Sequence, residues 1–295
     1  MPDSLLTESK KKKISSLCRK EDYASIIAIL DRISTKHSGT AKMKDKRFVI
    51  AEIVRDLIEK TAGKSEKTRA LKFFSAGSGI CRIKSDNAKE VGVHIAWRAY
   101  GYKRESVEKI LLKISDDTNW EVREYAAGAF ASVIASHPEF YKTLLKWRKH
   151  KSENVRRAVV MSAWGLRNIK DKRSPEKAFA LLEPLMYDAS RYVKVNLGPF
   201  VIGTGYGNAF PEETFSQLKK WMKIKDENVR WNIAMAFNNS FGNKYPEKAL
   251  EFLSVLLKDE SKSVNRAAIS TLRTLRKRHA AAIGSFLARE SITLK

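Results

Sequence analysis

The chain has 295 residues, with 57 Lys+Arg against 33 Asp+Glu and a formal charge of +24. Its 43% hydrophobic and 31% charged residues describe a folded soluble chain and exclude a disordered one. Two cysteines, Cys18 and Cys81, exclude a disulfide-built scaffold or a cysteine zinc site, and five histidines without an H-E-x-x-H pairing argue against a zinc hydrolase. No apolar stretch approaches the ~20 residues of a membrane span. No apolar signal core follows Lys10–Lys13, so the expected compartment is the cytoplasm, nucleoid-associated if bacterial. No metal or cofactor is expected.

In chain order, residues 1–20 read as a mobile basic leader. Residues 21–87 read as N-terminal helices at 21–34, 45–62 and 66–76, with breaks at Ser38-Gly39 and Gly77-Ser78-Gly79. Period-two strand signals are nearly absent. Over residues 88–290, expected to be continuous with 21–87 as one domain, the sequence repeats itself. The segments at Asp117–Arg123, Ser152–Ala158, Asp188–Lys194, Asp226–Arg230 and Asp259–Ala267 each start on an acidic or hydroxyl residue. An apolar valine follows, with a basic residue just after it in most of them. The valines Val122, Val155, Val193, Val229 and Val264 lie 33, 38, 36 and 35 residues apart. A second helix start recurs at His137-Pro138-Glu139, Ser174-Pro175-Glu176, Pro211-Glu212-Glu213 and Tyr245-Pro246-Glu247. A degenerate earlier unit runs through Val91–Trp97. Two helices per ~35 residues predict an all-α, curved solenoid whose inner helices form a concave face.

The spacing and the D-x4-V element at Asp117, Asp188 and Asp259 resemble HEAT repeats. The residue after each valine is Arg123, Arg156, Lys194, Arg230 and Asn265, which predicts a basic ladder on the concave face. In HEAT repeats such an arginine also serves as a hydrogen-bonding strut within the repeat, so both roles stay open. The excess charge is uneven: residues 141–175 hold eleven Lys/Arg, among them Lys170 and Lys172, against Glu153 and Asp171. A surplus of this kind favours a polyanion, with nucleic acid first because each neutralised phosphate releases counterions.

The next column reads Glu124, Arg157, Val195, Trp231 and Arg266, with Glu124 its one carboxylate. Trp120 precedes Glu124 by four residues and shares its helix face. A lone acid beside an aromatic on a basic wall needs a cationic ligand, or a developing positive charge, to explain it. A structural ion pair with Arg157 or Arg123, and a core Trp120, is the competing explanation.

The segments Trp120–Phe130, His137-Pro138-Glu139 and His150–Arg157 resemble the AlkD/AlkC superfamily of HEAT-like DNA glycosylases over about residues 90–280. They stand nearer the AlkC branch at Glu124 and at Val155-Arg156-Arg157. The resemblance implies excision of cationic N3- or N7-alkylpurines from duplex DNA by N-glycosidic hydrolysis. It implies Glu124 as catalytic carboxylate, Trp120 as its aromatic partner and Arg157 at a DNA-backbone contact; with the ladder, Arg123, Arg156, Arg157, Lys194, Arg230 and Arg266 are expected to line the duplex. The expected protein is a monomer with duplex DNA as partner, no membrane and no metal. Departures from the pattern are Phe200 where the AlkD branch has a second tryptophan, and Pro199, which predicts a kink or helix end. The Gly203–Asn208 stretch is read as a bend or inter-helix turn, Trp164 and Trp231 as core, and His150 as a surface residue. The alternative function is a non-catalytic HEAT scaffold binding nucleic acid or an acidic protein; a third reading is RNA or ribosome binding.

Overall fold

The computed structural model describes residues 4–33, 35, 39–169 and 173–292, and every regular element among them is helical. Ser38 of the first predicted break, and Lys170, Asp171 and Lys172 of the basic stretch, lie outside the described residues. The all-α repeat fold is as the periodicity predicts. The chain forms two compact units, Met1–Phe140 and Tyr141–Lys295, and unit 1 takes in both residues 21–87 and the first repeats. The reason is local: side chains of the N-terminal helices are tied into the first repeats, as described below.

Unit 1 holds α1 (Glu8–Arg19), α2 (Tyr23–Asp31), α3 (Met43–Lys60), α4 (Glu66–Ile80), α5 (Asp86–Ala96), α6 (Tyr100–Ser115) and α7 (Trp120–Ser136). The expected mobile leader is corrected: residues 8–19 are helical, with Thr7 capping the Lys10 amide. Ile14 and Cys18, one turn apart, are buried while Lys10, Lys12 and Lys13 stay exposed. Asp45 Oδ1 accepts from Ser4 Oγ at 2.6 Å and from the Leu5 and Leu6 amides, fastening the strand of chain before α1. The break at Gly77-Ser78-Gly79 is also corrected, because α4 runs through it to Ile80. A Cβ on Gly77 would collide with the backbone of Ala96, so this glycine serves the close approach of α4 to α5. Burial pushes both thiols up to about 12, which keeps Cys18 and Cys81 in the protonated form at neutral pH.

Unit 2 stacks helix pairs: α8 (Tyr141–Trp147) with α9 (Glu153–Arg167), α10 (Ser174–Leu182) with α11 (Arg191–Asn196), α12 (Pro211–Trp221) with α13 (Glu227–Ala236). After the short α14 (Ser240–Lys244) comes α15 (Pro246–Leu256) with α16 (Lys262–Arg276), and then α17 (Ala280–Arg289). Pro175, Pro211 and Pro246 sit in the first turns of α10, α12 and α15, where a missing amide costs nothing. All five repeated valines are fully buried, which makes them the pegs of the repeat.

The stretch read as a kink and a glycine turn is instead a π-helix, Leu197–Gly207, continuing directly from α11. Gly198, Gly203 and Gly207 recur every four to five residues, the advance of one wide π turn, and so fall on one face. That face lies on unit 2's next repeat. An added Cβ would meet Asn232 O at 2.7 Å from Gly198, the Ala236 carbonyl from Gly203, and the Phe241 ring from Gly207. The Pro199 carbonyl accepts from Asn239 Nδ2 at 2.6 Å and Thr204 Oγ1 at 3.2 Å.

Candidate active site

The start of α7 is fixed from below. Asn119 caps the Glu121 amide with its Oδ1 and donates from Nδ2 to Asp86 at 2.8 Å. Lys89 bridges Asp86 and Asp117, at 2.9 and 2.8 Å. Arg123 donates from Nη1 to the carbonyls of Asp117 and Thr118, at 2.7 and 2.9 Å. These bonds give it the strut role inside its own repeat, one of the two roles left open for it. With Val122 buried as the peg, Trp120 is 42% exposed and Glu124 half-buried, one helical turn apart.

Glu124 lines two clefts of unit 1, with volumes of about 920 and 720 Å³, which share Met43, Glu124 and Tyr125. Helix α3 forms the opposite wall of both. The larger cleft sets Arg47, Arg55 and Arg98 against Glu124 and Glu59, with His94 beside them and an apolar flank of Ile50 and Val54. The smaller one holds Trp120, Lys42 and Lys46. Sequence reasoning missed this second wall. It gave a helix at 45–62 but nothing that says which helix faces Glu124.

Lys46 locks the wall in place. Its ammonium is buried at 2.6 Å from Glu90 and 3.6 Å from Glu121, donates to Thr40 Oγ1, and lies 4.5 Å from the Tyr125 ring centroid. Burial pushes the Glu90 carboxyl up to about 7 despite Lys46. One turn on, burial and then Arg98 pull His94 down to about 4. Its ring meets Tyr125 edge-on at 5.5 Å. Burial, reinforced by Glu90, holds the Tyr125 phenol above its ordinary range.

These two shifts on α5 oppose one another. Glu90 is raised on folding, so its contribution is present at acid pH and is lost as pH rises from about 4.5 through 7. His94 is lowered, so its contribution is present above about 6.5 and is lost as pH falls toward 4. Urea midpoints of the wild type between pH 4.5 and 6.5 therefore carry little net slope from α5. In Glu90→Gln the midpoint climbs with pH over that window, and in His94→Asn it falls. Equal slopes in all three proteins would refute the assignment.

In unit 2 the predicted ladder exists, but it is turned inward. Arg156 Nε and Nη2 grip Asp188 of the next repeat, at 2.5 and 3.2 Å, while Nη1 donates to the His150 and Lys151 carbonyls. Lys194 donates to Asn228 Oδ1 at 2.8 Å and covers the Trp231 ring at 4.6 Å. Arg230 pairs with Asp259 at 2.8 Å. Arg157 is 3% exposed, reaches Asn196 Oδ1 at 3.1 Å and stacks 5.1 Å from Tyr192, so its assigned phosphate contact is corrected to a buried one within the unit. Arg156, Lys194 and Arg230 are half-buried struts rather than an exposed row; Arg266 alone of the six assigned cations is exposed. Asp188→Asn lowers unit 2 stability by about 1–3 kcal/mol, the worth of charge-assisted hydrogen bonds at such a site. A denaturant midpoint unmoved by this change would show that the Arg156 contact contributes nothing.

The remaining aromatic readings are corrected too. Trp164 and Trp231 are half-buried, whereas Trp221 is the fully enclosed indole. Trp164 meets Phe200 at 5.2 Å with Arg167 stacked on it at 4.2 Å, and Phe200 is 41% exposed. His150 is half-buried and accepts the Ser152 amide at its Nδ1, a turn-forming role.

The HEAT repeat family matches residues 107–197, the span from α6 through α11. No curated protein matches the chain. Among solved structures, a designed armadillo repeat protein in complex with the peptide (KR)4 is 20% identical over 79% of this chain and 95% of that chain, with a TM-score of 0.29. An engineered protein is 14% identical over 95% of this chain and 88% of that chain, with a TM-score of 0.30. Among the described residues no helix is long and apolar enough to cross a membrane. The HEAT match and the observed pairs of helices pegged by buried valines make this an all-α fold of HEAT-like repeats.

Proposed function

We propose that the chain is a DNA repair glycosylase that removes cationic alkylated bases, N3- or N7-alkylpurines, from duplex DNA. The observation that carries this reading is the position of Glu124 and Trp120 on the lining of open clefts. A purine alkylated at N3 or N7 is already a cation and leaves as a neutral base once the bond to the sugar breaks, the bonding pair going to the base nitrogen. The carboxylate of Glu124 stabilises the positive charge that builds on the sugar and orients the water that attacks C1′, accepting its proton. The Trp120 indole offers its electron-rich face to the same cation. Arg47 and Lys42 stand beside the acid with charge suited to the flanking phosphates. Arg123, Arg156, Lys194 and Arg230 act by spacing the helices, and Arg266 meets the backbone directly.

A non-catalytic HEAT-repeat scaffold is the second reading, and a specific observation favours it: five of the six assigned cations are engaged inside their own units. Base release from methylated duplex DNA by the wild type and by Glu124→Gln separates the two. Release that depends on Glu124 supports the enzyme; no release, or release untouched by the substitution, leaves the scaffold.

A further inference from the structure

Two residues before the valine peg the repeats differ, with Trp120 in α7 and Arg191 in α11. In α9 and α13 an acid stands two residues before the valine peg, Glu153 and Glu227, and each accepts from a serine of the following repeat, Ser190 and Ser261. In α16 that place is Lys262, and the helix KSVNRAAISTLRTLR contains no carboxylate. The strut that follows the valine is also changed. Asn265 bonds the Leu257 carbonyl at 2.6 Å, and the chain of interrepeat acids ends at Asp259.

At 100° per residue, Lys262, Arg266, Arg273 and Lys277 fall within about 60° of arc and extend along about 22 Å of helix. All four are exposed, as is Arg276 at the edge of the same face. Among the described residues, Lys262, Arg266, Arg276 and Lys277 have no carboxylate at ion-pair distance. On the flank of the cation row stand the exposed Ser263 and Ser270, short hydroxyls able to donate to anionic oxygens, while Thr274 Oγ1 donates to the Ser270 carbonyl. No large hydrophobic side chain is exposed on α16. A protein partner would need an aromatic or aliphatic anchor there, and a membrane surface would need an apolar face.

We propose that the exposed face of α16 is a docking surface for the phosphate backbone of a duplex nucleic acid. It deepens the nucleic-acid part of the proposed function and is independent of Glu124. A row of cations and hydroxyls without apolar anchors reads charge and spacing, so the binding is insensitive to sequence and steeply dependent on salt.

The test is binding of undamaged 20-base-pair DNA and RNA duplexes, followed by fluorescence anisotropy across a salt series. The four-fold variant Lys262→Gln/Arg266→Gln/Arg273→Gln/Lys277→Gln is compared with a charge-matched control, Lys12→Gln/Lys64→Gln/Lys67→Gln/Lys84→Gln, whose lysines are exposed in unit 1. Each lost phosphate contact lowers the slope of log K against log salt by about 0.9 on B-DNA, so the α16 variant is expected to lose about 3 or more in slope and at least tenfold in affinity. The control is expected to lose far less. The two half-variants, Lys262→Gln/Arg266→Gln and Arg273→Gln/Lys277→Gln, each give about half the effect and cover the case in which the full variant does not fold. A response with DNA, RNA or both supports the surface. Equal losses in the α16 variant and the control overturn it, as does a loss confined to polyglutamate or to anionic vesicles. Base release lost in Glu124→Gln with duplex binding intact bears on the catalytic reading alone.

Discussion

Glu124→Gln is expected to lower base release from methylated duplex DNA by about 10²–10³-fold with little change in duplex affinity. The magnitude is that of removing one preorganised group from a site where transition-state charge develops, about 2.7–4 kcal/mol. Glutamine preserves the volume and the hydrogen-bonding reach of the side chain but carries no charge to set against the forming sugar cation. Glu124 faces clefts that also hold Arg47 and Lys46, so removing its negative charge makes the cleft more cationic, favouring the phosphates and opposing the developing cation. The split between retained binding and lost turnover is the informative readout. Trp120→Ala, which deletes an uncharged and partly exposed side chain, should weaken turnover less. A single-turnover rate for Glu124→Gln within threefold of wild type would remove the catalytic assignment and leave the repeat scaffold.

Gly203→Ala is expected to destabilise unit 2 by about 3 kcal/mol, the upper part of the range for overpacking, because the new methyl group meets a backbone carbonyl rather than a side chain that can turn aside. For a unit of this size that lowers Tm by roughly 6–12 °C. Asn239 Nδ2 lies within reach of the same methyl and also holds the Pro199 carbonyl, so the substitution strikes the π turn and its neighbour together. Gly284→Ala is the matched control. Gly284 lies inside α17 with open space around it, and alanine there should gain up to about 1 kcal/mol from helix propensity. Similar Tm values for the two variants would show that the π-helix does not depend on close approach at Gly203.

The repeat was legible because it is written in local rules. A proline or an acidic or hydroxyl residue starts each helix, a valine lands on the buried face one unit later, and the period of about 35 residues needs no knowledge of distant partners. The α3 and α4 positions were legible for the same reason. Errors arose where glycine or lysine was read by its usual habit. Gly77, Gly203 and the lysine-rich start of the chain signal breaks and mobility by composition, yet here the glycines let backbones touch and the lysines ride the outer face of α1 above Ile14 and Cys18.

By itself the sequence determined an all-α chain of paired helices with buried valine pegs, and it singled out Glu124 beside Trp120 as the acid that the repeat does not require. Only the tertiary structure decided where the charges point. A basic column at fixed register is the same string of letters whether its members face solvent or the next repeat, and Asp188 and Asp259, each about thirty residues further on, draw Arg156 and Arg230 inward. The second wall of the Glu124 clefts was likewise a tertiary matter. Lys46 and Glu90 lie far apart in sequence, and only the packing of α3 against α5 brings the ammonium within 2.6 Å of the carboxylate and sets α3 over the acid, since burial by itself costs both charges their hydration.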